Sequence, residues 1–135
     1  MPLKNSNNGG LRRQFDRAVK LHRAHKTQEA LAILERLARE YRKSAAVAGY
    51  LAGVYFGQDE FERAAKWFKC ATNLAPKSEL ASLGLFHSLW NLGASTDAVA
   101  EMRRFLRVAD SREYGKLLRD LTVEGRLVPD LAGAA

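Results

Sequence analysis

Alanines at positions 30, 64 and 98 stand 34 residues apart, and three further sets keep that interval: Leu34, Phe68 and Met102; Leu37, Ala71 and Phe105; Leu21, Tyr55 and Leu89. A fixed interval constrains the fold strongly, because every copy must build the same small unit and can bury its apolar face only against its neighbours. Within each interval apolar residues recur every third or fourth position, the period of an α-helix, and no stretch alternates with period two for long enough to make a strand. The chain is therefore predicted to be all-α, with about seven helices arranged as repeating antiparallel pairs.

Met1 to Gly10 is polar and ends in two glycines, so residues 1–10 read as a disordered lead-in. The first helix is predicted over Leu11–His25, apolar at Leu11, Phe15, Ala18, Val19 and His22 and basic on its back. A second runs from Thr27, a candidate N-cap, to about Tyr41. Ser44–Gly57, Asp59–Ala75, Ser78–Leu92 and Ser95 to about Val108 follow as the third to sixth, punctuated by Pro76 and Gly93. Asp110 and Glu113 have capping-box spacing before a seventh helix carrying Tyr114, Leu117, Leu118 and Leu121, and residues 122–135 read as a tail.

Three glycines, Gly49, Gly53 and Gly57, recur every fourth residue within the third helix. Each interior glycine costs about 1 kcal/mol of helix propensity relative to alanine, so a bare row of them calls for a close approach. Two readings follow: a partner's backbone comes near, or neighbouring helices of the same chain pack tightly and Gly57 ends the helix.

The formal charge of +7 is unevenly placed: residues 1–43 hold eleven Lys or Arg against four Asp or Glu, and the remainder sums to zero. Such asymmetry points to an acidic partner or a nucleic acid approaching one end of the molecule, with a merely solvated face as the bland alternative. No apolar run reaches the roughly 18 residues that span a bilayer, and the first ten residues lack a signal peptide's apolar centre, so a cytosolic protein without a membrane partner is expected. A single cysteine, Cys70, agrees with a reducing compartment and leaves no thiolate metal site to build.

Leu51-Ala52, Tyr55, Asp59-Glu60-Phe61, Ala64, Phe68, Ala71 and Pro76 together resemble the tetratricopeptide repeat. The resemblance covers Leu11 to about Asp110 as three units, about 11–43, 44–77 and 78–110, with 111–121 similar to the helix that caps such arrays. It departs from the family at Arg42 and Asp110, where a closing proline would fall. It departs again at Phe86, where a small residue is usual, so that the fifth and sixth helices are expected to be pushed apart or the ring turned outward. The resemblance implies a short right-handed superhelical array whose first helices line a concave, ligand-binding groove. In the first unit the groove residues would be Arg12, Phe15, Val19, His22 and Arg23; in the second Ala46, Gly49, Gly53, Phe56 and Gly57; in the third Leu80, Leu83, His87, Trp90 and Asn91. Some members clamp the C-terminal carboxylate of heat-shock chaperones with basic and amide side chains. The equivalent places here hold Phe15, Val19, Tyr50, Leu80 and Gly84, none of which can pair with a carboxylate.

No catalytic constellation is traceable. His22 and His25 lack a carboxylate or cysteine to complete a metal site, His87 is read as offering the groove a hydrogen bond or a pH-sensitive charge in preference to general-base work, and Cys70 has no histidine on an adjacent turn. No enzyme activity, metal or cofactor is expected. The expected function is a non-catalytic adaptor or chaperone capturing a helix or extended peptide of another protein in an apolar groove. Its build is similar to that of bacterial type III secretion chaperones and of proteins that neutralise toxins, by analogy of fold alone. Nucleic-acid binding through the basic first helix is the rival, disfavoured because stacking platforms need aromatics beside the charge. Self-assembly with another copy is a third reading.

Overall fold

In the computed structural model, which describes residues 2–123, seven α-helices and no strand are present among the described residues. They are α1 (Pro2–Arg23), α2 (Thr27–Glu40), α3 (Ala45–Gly57), α4 (Phe61–Leu74), α5 (Glu79–Asn91), α6 (Ser95–Val108) and α7 (Arg112–Val123). Helix α1 starts at Pro2 and so runs through the residues expected as a lead-in, since extending a formed helix adds one hydrogen bond per residue fixed. Most of the expected tail, 124–135, lies outside the described residues.

The 34-residue interval governs the turns as well as the core. His25, Asp59 and Gly93 each take a positive φ, of 63°, 59° and 81°. The N–H of the following residue then returns to a carbonyl five residues back: Lys26 to Leu21 at 2.8 Å, Glu60 to Tyr55 at 3.0 Å and Ala94 to Leu89 at 2.9 Å. This is the Schellman closure, which satisfies helix-end carbonyls that would otherwise lack donors. The same turn therefore reverses the chain within each pair. Between pairs, Ser44 Oγ accepts from the Val47 N–H and Ser78 Oγ from the Ala81 N–H, each at 3.2 Å.

Two expected caps are corrected. Helix α2 begins at Thr27 itself, after Lys26, with no side-chain cap bond, because Thr27 already has helical geometry. Before α7 the capping oxygen is Ser111 Oγ, which accepts from the Tyr114 N–H at 3.0 Å, in place of Asp110. The cap thus falls one residue short of the interval set by Ser44 and Ser78.

The core continues from pair to pair. Ala18, Leu34, Leu51, Ala52, Ala64 and Phe68 form the body of one cluster through the first two pairs and onto Leu85 of α5. Phe86, Ala98, Met102, Phe105, Tyr114 and Leu121 belong to a second, closed by α7. Phe86 therefore turns inward, only 2% exposed, contrary to the outward turn offered above. Its ring stacks on Trp90 with centroids 5.8 Å apart and meets Tyr114 edge-on at 5.7 Å. Aromatic neighbours on both sides give the bulky ring the burial that an alanine supplies at 18 and 52. Leu74, at the end of α4, is exposed.

A buried polar chain ties α5, α6 and α7 together. Glu101, 5% exposed, receives two bonds from the Arg104 guanidinium, Nε to Oε1 at 2.9 Å and Nη2 to Oε2 at 2.7 Å. Ser82 Oγ donates to Glu101 Oε2 at 2.7 Å, and with its one proton so committed it accepts from the Tyr114 hydroxyl at 2.7 Å. Arg104 also reaches the Pro76 carbonyl at 3.0 Å. Every member is satisfied, which is what makes a buried carboxylate tolerable. Desolvation by burial holds the Tyr114 hydroxyl's pKa well above its ordinary value of 10.0, with the Glu101 charge raising it further against the Ser82 bond.

Candidate partner-binding groove

A cavity of about 540 Å³ opens between α1, α3 and the start of α5. Its floor is Ala45, Ala46, Gly49 and Gly53 of α3, with Ala71 and Ala75 from the end of α4 beside it. The small side chains on this face of α3 leave space where a helix usually carries bulk. A Cβ built on Gly53 meets nothing within 4 Å, and one on Gly49 meets only the Ala71 Cβ, at 4.0 Å. The opposite face of α3 is buried through Val47, Leu51 and Tyr55, so the helix is anchored while its glycine face stays open.

Aromatic rings build the α1 wall. Tyr50 receives Phe15 edge-on at 5.4 Å and His22 edge-on at 6.0 Å, the last two being a pair of turns apart on α1. The His22 Nδ1 is buried with no hydrogen-bond partner among the described residues. On the far wall Leu80 is 81% exposed, an unusual state for a leucine beside an apolar cavity. A second cleft of about 550 Å³ between α4 and α6 is lined by both signs of charge, including Glu62, Lys66, Lys69, Asp97 and Arg104. That mixture leaves it less apolar than the first, although Leu85 and Leu89 also line it.

Of the residues the sequence suggested for the groove, Phe15, His22, Ala46, Gly49, Gly53 and Leu80 line this cavity. Arg12 and Arg23 are exposed on α1 outside it, and Val19 is half-buried. Phe56 packs edge-on against Phe61 at 5.2 Å at the far end of α3, beyond the cavity, and Gly57 is exposed there. Leu83 and Trp90 pack against the last core cluster instead, because α7 covers that face of α5. His87 meets Phe86 edge-on at 5.4 Å, and loss of water on that side lowers its pKa from the ordinary 6.5. Asn91 donates to the His87 carbonyl at 2.7 Å. Tyr50, placed by the sequence at a clamp position, lines the cavity too, whereas Ala45, Val54, Phe68, Ala71, Ala75, Ser78 and Ala81 were missed as lining residues. A signal existed for Ala71, since the residues at its interval, Leu37 and Phe105, are both large.

Among the described residues no group of three His, Cys, Asp or Glu is placed to hold a metal, and no helix is long and apolar enough to cross a membrane. Residues 21–84 match the family model described as tetratricopeptide repeat, a family of protein–protein interaction modules. No curated protein sequence matches the chain. Among solved structures a mutant of MamA is similar in fold, with a TM-score of 0.66 at 16% identity, covering 76% of this chain and 74% of that one. Residues 21–84 are therefore tetratricopeptide repeat, and the helix pairs recurring every 34 positions carry the same helical-repeat fold beyond them.

Proposed function

We propose that the chain is a non-catalytic adaptor or chaperone that holds a segment of another protein in the groove between α1, α3 and α5. The observation that carries this reading is the open glycine face at Gly53 inside an apolar cavity of about 540 Å³, a size suited to large apolar side chains. Burial is the driving term: each large side chain seated there gains about 1.5–3 kcal/mol relative to water. Arg12, Val19 and Arg23 border the α1 wall in this reading, and Phe56, His87 and Asn91 lie beyond the cavity along α3 and α5, while Leu83 and Trp90 are given over to the last core cluster.

The test is Gly53→Leu. Its side chain enters open space in the free protein, so the melting temperature should hold or rise. The same side chain fills the centre of the interface, where binding energy concentrates, so capture of a partner from the source cell should fall sharply. A stable variant that retains the wild-type partner would remove the groove from the function.

A further inference from the structure

We propose that the groove's occupant is an acidic amphipathic α-helix contributed by another protein. This rests on the groove being the binding surface, and adds the occupant's backbone form and charge.

The backbone form follows from hydrogen bonding. An extended segment carries unpaired N–H and C=O groups along its length, and burying them without partners is costly. The groove has almost nothing to offer them. Its floor residues are Ala and Gly whose own amides close helices, and Ser78 Oγ already caps α5. The polar side chains left are Tyr50 and His22, at one end. A helix satisfies its own backbone and needs only an apolar ridge to seat. The floor from Ala45 to Gly53 provides a track of about 12 Å for it.

The charge follows from where ionic groups stand on the three helices that form the groove. Helix α3 has none, and α5 has only Glu79 besides the neutral-leaning His87. Helix α1 has Arg12, Arg13, Arg17, Lys20 and Arg23 against Asp16 among residues 9–23. Arg12 and Arg23 lie on the groove side of α1, one helical step round from Phe15 and His22 and on the same side as Val19. Both are exposed, and neither makes an ion pair or side-chain hydrogen bond among the described residues. Their Cα atoms are about 16 Å apart by helical rise, so an occupant lying along α1 meets them with acidic residues about eleven positions apart. One flank of the occupant is thus acidic and the other apolar, toward Leu80.

The experiment is selection of a phage-displayed library of 16-residue peptides on the whole chain, with synthetic copies of the winners titrated by anisotropy and circular dichroism. The expected winners are net acidic, gain helix on binding and fail to bind Gly53→Leu. They also bind an Arg12→Glu/Arg23→Glu double variant about tenfold or more weakly, with the difference shrinking in high salt. Neutral or basic winners, or winners indifferent to the double variant yet lost on Gly53→Leu, would overturn the acidic occupant while leaving the groove in place. Winners that bind without gaining helix would overturn the helical form. Winners indifferent to Gly53→Leu would overturn the groove itself. Displacement of acidic winners by a thymidine oligonucleotide that binds more tightly would reassign the α1 cations to nucleic acid. Thermal melts of both variants, expected to match wild type, show that any loss is one of contact.

Discussion

Gly53 and Gly84 sit on neighbouring helices, and only one of them is needed for packing. A Cβ on Gly84 would clash with the ring of Phe68, a 7% exposed residue that would have to shift to make room. Gly84→Ala is expected to cost about 1–3 kcal/mol, as overpacked cores do, measured as a lower urea midpoint at unchanged slope. Gly53→Ala is expected to be neutral or to stabilise by about 0.4–1 kcal/mol through the unfolded chain. The left-handed turn residues make the matching backbone case. Asp59 has φ 59° where the equivalent position in the third unit is Gly93, with φ 81°. Asp59→Gly should therefore stabilise, and Gly93→Ala destabilise by about 1 kcal/mol, because a Cβ crowds the carbonyl in that conformation. Failure of the two to move in opposite directions would mean that the turns are not equivalent.

At the scale of elements, α7 is held by an apolar contact and by the buried polar chain. Removing the Tyr114 hydroxyl leaves Ser82 with an unfilled acceptor, whereas Glu101→Leu leaves the Arg104 guanidinium without its carboxylate and Ser82 without its acceptor. Arg104 is partly exposed and water can take over some of its bonds, so the Glu101 change is expected to cost about 2–3 kcal/mol and Tyr114→Phe about 1 kcal/mol. The tyrosines also set an alkaline limit. Burial raises the Tyr114 pKa, and burial followed by the hydrogen bond to Glu35 raises that of Tyr55, each from 10.0. A raised folded pKa means stability that is complete below pH 10 and lost as the pH climbs from there toward the folded values. Melting temperature should therefore fall above pH 10, and the fall should be shallower in Tyr114→Phe than in wild type. Parallel curves would show that Tyr114 ionises as freely in the folded state as in the unfolded one.

For the molecule as a whole, each pair can bury its apolar face only against the next, so the ends of the stack need special treatment. Helix α7 provides it at one end by covering Phe86 and Phe105 with Tyr114. A chain ending at Asp110 is expected to bind an apolar dye such as anilinonaphthalene sulfonate strongly and to melt several degrees lower. A truncated chain with wild-type melting and no dye binding would mean that the last pair is self-sufficient. The other end carries the excess positive charge, so partner binding should weaken as salt rises while stability changes little.

The helix pairs, their order and their turns were legible in the chain, because they depend on period and on residues close in sequence. Ala30, Ala64 and Ala98 announce the interval and are each fully buried. The row of glycines in α3 was legible too, but not its meaning, since Cβ space at Gly53 and its lack at Gly84 depend on what α4 brings alongside. Tertiary structure alone decided that Leu83 and Trp90 serve the core, because α7 covers their side of α5. It also decided that Glu101, at the interval of Ile33 and Trp67, is buried beside Arg104 and Ser82. The division has one physical cause. Helix propensity and amphipathic period act over one or two turns of chain, whereas which face is covered, and whether a buried charge finds its partners, is settled by side chains 19 to 32 residues away.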